Sequence, residues 1–156
     1  MMLNPATNRR RWLGLGAASL LGLALPVRAA PVQVEVWKDP SCGCCGDWVR
    51  HLQSAGIKVT VYETGNTAAR ARLGIAQRYA SCHSARVDRY VLEGHVPARD
   101  VLRLLKERPV ALGLAVPGMP VGSPGMDGPA YQGRKDPYDV LLLLADGGSR
   151  VFQAHR

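Results

Sequence analysis

Three of the four cysteines in this 156-residue chain fall within four positions, Cys42-Gly43-Cys44-Cys45, just ahead of a stretch with helical spacing. The thiolate is the form that attacks a disulfide and the form that ligates a metal, and the N–H groups and positive end of a helix start favour it. Cys42 and Cys45 form a CxxC pair of the kind used in dithiol exchange. Cys42 and Cys44 form a CxC pair, and Cys44 is the immediate neighbour of Cys45. A redox dithiol, a metal cup and a structural disulfide are all open readings; in the structural one, Cys45 packs beside Trp48 while the other two make a bridge. Adjacent cysteines leave few pairings with relaxed geometry, which favours thiols kept for chemistry.

The fourth thiol, Cys82, is followed by His83 in a Ser-bounded segment, "SCHS". If the strand after this segment lies beside the strand that precedes the cysteine turn, Cys82 and His83 approach Cys42 and Cys45. Beyond the first 29 residues the only methionines are Met119 and Met126, in the echo "PGMP" and "PGMD". Methionine ordinarily fills gaps in a core, but here both lie in a loop stiffened by Pro and bent by Gly. Thioether and thiolate donors together select soft metals, Cu(I) above all, whereas zinc seldom takes methionine. The other histidines read as an exposed helix position (His51), a turn residue (His95, the best further ligand of the three) and a frayed end (His155). A serine–histidine triad, paired carboxylates at useful spacing and a phosphate-binding loop are all missing, which sets aside hydrolytic and nucleotide chemistry.

The elements that must position these groups follow from periodicity. Val32, Val34 and Val36 alternate with polar or exposed neighbours as in a half-buried strand. Cys45, Trp48, Val49 and Leu52 mark one face of a helix ending near Ala55-Gly56, and Val59 and Val61 mark a second strand. A helix is expected over 67–80, interrupted at Gly74, then an ordered loop over 81–88 and a short strand in "RYVLEG". Pro97 opens a helix whose buried side is Val101, Leu102, Leu104 and Leu105. After Pro109 a long Gly- and Pro-rich loop follows, with little regular structure expected, and then a buried strand over 138–145 that returns through Asp146-Gly147-Gly148 as a hairpin. The expected fold class is α/β: a thioredoxin-like mixed sheet flanked by helices, with the Gly/Pro-rich loop and a C-terminal β-hairpin as extensions.

Residues 1–29 have the order of an export signal: Arg9, Arg10 and Arg11, an apolar run, and Val27-Arg28-Ala29 as a cleavage site. The arginines followed by Trp12-Leu13 resemble a twin-arginine signal, and the apolar run is short for a membrane span. Cleavage lowers 20 basic side chains to 16 against 12 acidic ones, a formal charge of +4 on residues 30–156, the single expected domain. The basic residues are scattered and there is one Phe, so a nucleic-acid partner is not expected, nor is stable membrane insertion after cleavage.

"WKDPSCGCCGDWVRHLQSAGI", "SCHSARVDRYVLEGHVPARDVLRLL", "GLAVPGMPVGSPGM" and "PYDVLLL" together resemble the successive blocks of the CopG-type copper-resistance family, long catalogued as a domain of unknown function. The likeness runs from about Val34 to His155. It implies a thioredoxin-like fold, a periplasmic location, and copper bound at the cysteine turn with a redox role. Matched by motif, the metal ligands are Cys42, Cys44, Cys45, Cys82, His83, Met119 and Met126, with Cys42 and Cys45 as redox candidates. Arg89 departs from the small residue usual before "YVLEGHVP". The implied partners are copper ions and other periplasmic copper-resistance or redox proteins. Whether the protein turns over as a copper- or thiol-linked oxidoreductase is open, and two rivals stand: a metal-independent thiol–disulfide oxidoreductase using Cys42 and Cys45, and a structural zinc site.

Overall fold

The structure is a computed structural model and describes residues 30–156. The expected export signal lies outside the described residues. β1 (Gln33–Lys38) leads into α1 (Gly43–Ser54) and β2 (Lys58–Tyr62), a βαβ unit in which β1 and β2 are parallel. A short α2 (Thr67–Arg72) and a 3-10 turn (Gln77–Tyr79) lead to β3 (His83–Val87) and β4 (Tyr90–Glu93), then α3 (Ala98–Glu107), β5 (Gly113–Ala115), β6 (Tyr138–Leu143) and β7 (Ser149–His155). All seven strands form one mixed sheet in the order β2-β1-β3-β4-β5-β6-β7. β4 and β5 are parallel, and the remaining pairs from β1/β3 onward are antiparallel.

The apolar periodicities land where a core needs them. Val34 and Val36 of β1 are buried, as are Cys45, Trp48, Val49 and Leu52 of α1, and they meet Leu92, Val101, Leu104, Leu114 and Leu142. The Trp48 indole N–H donates to the Val96 carbonyl at 2.8 Å, so the largest side chain of α1 is anchored to the segment that follows β4. Burying these side chains is the main stabilising term, on the order of 1.5–3 kcal/mol each.

Two expectations are corrected, for residues 83–87 and for Leu102, and two are sharpened. Residues 83–87 form a central strand rather than a loop, with β1 on one side and β4 on the other; His83 and Ser84 are buried polar residues there, so no apolar alternation marks the strand. The expected interruption at Gly74 is present, with a left-handed φ of 72°, but the helix ends at Arg72 and the stretch beyond resumes only as the 3-10 turn Gln77–Tyr79. The region after Pro109 contains β5, three residues long, whose Gly113 lies so close to β4 that a Cβ would sit 1.9 Å from the Val91 carbonyl oxygen. Finally, Leu102 is 39 % exposed, because α3 rests on the stripe Ala98, Val101 and Leu104, and Leu102 is turned about 100° away from Val101. Among the described residues, no helix is long and apolar enough to cross a membrane.

Candidate metal centre

Cys42 is the N-cap of α1, held by its N–H to the Asp39 carbonyl at 3.1 Å. One helical turn later Cys45 points into the core, and the two are joined by a disulfide. Cys44, between them, keeps a free thiol, 3.5 Å from the Cys42 sulfur and 3.9 Å from the sulfur of Cys82. Cys82 enters from the segment just ahead of β3. Because β3 pairs with β1, with Lys38 opposite His83, the end of β1 that opens the cysteine turn lies beside the start of β3. The sheet register therefore brings residues 42–45 and 82 together across about 40 positions of sequence. The four sulfurs lie within 4.8 Å of one another.

A second donor set shares Cys82. Its sulfur is 3.1 Å from His95 Nε2 and 3.5 Å from His83 Nδ1, and these three residues also have donor atoms within 4.8 Å of one another. His95 Nδ1 lies 2.8 Å from the Pro124 carbonyl. A carbonyl only accepts, so Nδ1 carries the proton and the Nε2 lone pair faces the thiol. This is the arrangement in which a backbone carbonyl orients a ligating imidazole. His83 is fully buried, its ring 4.2 Å from that of Trp48 and 5.0 Å from that of His95, and its Nε2 has no hydrogen-bond partner. An unpartnered buried nitrogen is costly; the ring nitrogen that faces the Cys82 sulfur is the other one, Nδ1.

Burial sets the protonation states. It holds both imidazoles below the usual range, His83 down to about 3 with help from neighbouring His95, so both are neutral. Burial, with Cys44 next to it, pushes the Cys82 thiol up to about 12. Cys82 is therefore a protonated thiol in the metal-free chain, and a bound cation must displace that proton.

The loop of the two methionines reaches the same place. The Gly118 carbonyl accepts from the Ser81 hydroxyl, setting Met119 beside the segment of Cys82, while Gly125 packs so tightly on α1 that a Cβ there would be 2.5 Å from the Cys44 carbonyl oxygen. Met119 is 51 % exposed. Met126 is 8 % exposed, and its sulfur accepts from the Tyr131 hydroxyl at 3.3 Å. The expected exposed His51 instead accepts the Ala98 N–H at 3.0 Å, capping α3. The expected frayed His155 is ordered, 3.0 Å from Asp100 and stacked on Tyr138. Sequence reading undervalued His95; the one signal for it was its position in "EGHVP", directly after a strand.

The profile of a family described as "Protein of unknown function, DUF411" matches residues 79–126, a span that holds Cys82, His83, His95 and both methionines but not the cysteine turn. Two solved structures resemble the whole fold. One, titled "Copper resistance protein copG- Form 2", is 42 % identical with a TM-score of 0.75 and covers 81 % of this chain and 100 % of its own. The other, "Copper resistance protein copG- Form 1", is 42 % identical with a TM-score of 0.74 and covers 81 % and 98 %. No curated protein sequence matches.

Proposed function

Because this chain belongs to the family of the copper resistance protein CopG, we propose that it is an exported, periplasmic protein that binds copper as Cu(I), through the cysteine turn, Cys82 and the two buried imidazoles. The observation that carries the reading is the pair of donor sets joined at Cys82, one of four sulfurs and one of a thiol with two neutral imidazoles. Soft sulfur donors in a partly buried cup favour Cu(I) over harder ions. The β2-β1-β3-β4 half of the sheet, with the cysteine turn between β1 and α1, supports a thioredoxin-like origin for the scaffold.

Within this reading each residue has a role. Cys42, Cys44, Cys45 and Cys82 supply sulfur, His83 and His95 supply lone pairs, and Met119 and Met126 are auxiliary thioethers at the rim and the loop base. With the Cys42–Cys45 disulfide closed, Cys44, Cys82 and the imidazoles are the available donors. An external dithiol that reduces the disulfide opens the full cup. In the other direction, the Cys42/Cys45 dithiol gives one electron to each of two Cu(II) ions, forming two Cu(I), the disulfide and two released protons. Export rests on the Arg-rich, apolar and small-residue order of residues 1–29.

The test is metal analysis of protein purified anaerobically under reducing conditions, followed by competition titration against a Cu(I) chelator. Tight copper binding that drops in Met119→Leu plus Met126→Leu, with the fold intact, is expected; unchanged affinity removes the methionines from the site. The disulfide itself favours a second reading, a metal-independent thiol–disulfide oxidoreductase. Reduction of insulin by the metal-free protein, unaffected by the methionine changes, would establish it instead.

A further inference from the structure

A buried ion pair stands behind the metal centre. Glu93, at the end of β4, is 0 % exposed, and every group facing its carboxylate donates. Arg70 Nε reaches Oε1 at 2.8 Å, the Ser81 N–H reaches the same oxygen at 2.7 Å, and the Ser84 hydroxyl donates to Oε2. Burial holds the Glu93 carboxyl above its usual range, and these donors offset that only in part. The Arg70 guanidinium continues past Glu93 to the Ser81 carbonyl at 2.6 Å, and the Asn66 side-chain amide donates to that carbonyl at 3.1 Å and to the Ser84 hydroxyl at 3.3 Å.

All the polar groups of Ser81 are thereby held. Its N–H is on Glu93, its carbonyl is on Arg70 and Asn66, and its hydroxyl is on Gly118. The next residue along the chain is Cys82. Glu93 is also two residues before His95, and the Gly94 between them takes a left-handed φ of 69°, packed so that a Cβ would lie 2.4 Å from the Val116 carbonyl oxygen and 2.6 Å from the Ser81 Cβ. One charged cluster thus grips the residue before Cys82 and the residue two before His95, the pair whose sulfur and nitrogen lie 3.1 Å apart. Through Ser81 it also ties down Gly118, the neighbour of Met119. A buried ion pair is poor value as a stabiliser, because desolvation offsets its attraction and an apolar pair often does as well. Its gain is directional, since bonds to a carboxylate and a guanidinium fix geometry in a way apolar packing does not.

We propose that Arg70 and Glu93 are positioning residues for the metal centre: their ion pair clamps Ser81 and so sets the place of Cys82 relative to His95 and of the Met119 loop relative to both. The inference rests on the copper-binding reading, and it deepens that reading by naming a part outside the donor set. Neither side chain ligates; both act through the Ser81 peptide.

The test uses the chain from residue 30 onward with Glu93→Gln, Arg70→Lys and Asn66→Ala. Glu93→Gln keeps the shape and loses the charge, Arg70→Lys holds one of the two contacts, and Asn66→Ala removes one bond to Ser81 and one to Ser84. Circular dichroism checks folding. Cu(I) competition affinity and the sulfur-to-copper charge-transfer absorption read the site, and alkylation of Cys82 by iodoacetamide, followed by mass spectrometry, reads the metal-free chain. Glu93→Gln is expected to weaken Cu(I) binding about 10- to 100-fold, the usual effect of losing an outer partner of a metal ligand, with an altered absorption band and faster alkylation of Cys82. Arg70→Lys is expected to fall between it and the unsubstituted protein. A folded Glu93→Gln with unchanged affinity, absorption and alkylation overturns the proposal. If Glu93→Gln fails to fold, unchanged values in both Arg70→Lys and Asn66→Ala overturn it. If the unsubstituted protein binds no Cu(I), the functional reading fails, and the alkylation rates alone still decide whether the clamp positions Cys82.

Discussion

At the scale of single residues, the imidazoles show how far sequence reading reached. Cys82-His83 was legible because a thiol beside an imidazole is unusual and their Ser-bounded setting is polar. His95 was legible only as the best of the remaining histidines, because its role depends on the sheet register that returns β4 to β3 and on a carbonyl, Pro124, 29 residues away. Burial of these rings makes an acid-sensitivity prediction for the metal-free chain. His83 has its folded pKa near 3, against about 6.5 when unfolded. Below pH 6.5 the unfolded chain takes up a proton that the folded chain refuses, so stability present above that pH is lost as pH falls toward 3. The slope approaches about 1.4 kcal/mol per pH unit for this group, and His95 and His51, also lowered by burial, act in the same direction. Denaturant unfolding with a chelator present, repeated from pH 7 to 4, should show midpoints that fall steadily. A flat profile would mean that His83 is not held neutral.

At the scale of elements, β1 and α1 were legible because each carries a simple apolar period on a segment with one buried face, β2 by the alternation of Val59 and Val61 although Val61 is exposed, and β6 and β7 by an apolar run followed by a hairpin turn. β3 and β5 were not, for opposite reasons. β3 buries polar side chains that are satisfied only by partners from other elements, Ser84 by Glu93 for example, while β5 has three residues and borrows its hydrogen bonds from β4 and β6. The Gly/Pro-rich loop was legible as a loop with a purpose, but its docking onto α1 was not. Gly125 carries that docking: it has a left-handed φ of 90°, with the Cys44 carbonyl oxygen, the Trp48 N–H and His95 Nδ1 crowded where a Cβ would stand. Gly125→Ala should therefore lift the loop from the first turn of α1 and remove the Pro124 carbonyl from His95. The expected cost is at least about 1 kcal/mol for the backbone conformation alone, together with weaker Cu(I) binding in the competition titration. An alanine variant with unsubstituted affinity would show that the loop does not support the centre.

For the molecule as a whole, the question is whether the Cys42–Cys45 disulfide is a staple or a working part. A staple gains most when it closes a long loop, and this one closes a separation of three residues. The chain-entropy relation then gives only about 2 kcal/mol. The core spans α1, α3 and the sheet from β1 to β6, and a chain of this length can bury enough apolar surface to fold without a cross-link. Reducing the disulfide with a strong chelator present should thus leave the metal-free protein folded, with a melting temperature lower by roughly 5–10 °C. Copper capacity should move the other way, because reduction returns two sulfurs to the cup shared with Cys44 and Cys82. Cooperative unfolding on reduction alone would make the bridge structural, leaving Cys44, Cys82, His83 and His95 as the donor set. A folded reduced state with higher Cu(I) capacity assigns the CxxC pair to the chemistry, which is the outcome expected of a scaffold whose core does not need the bond.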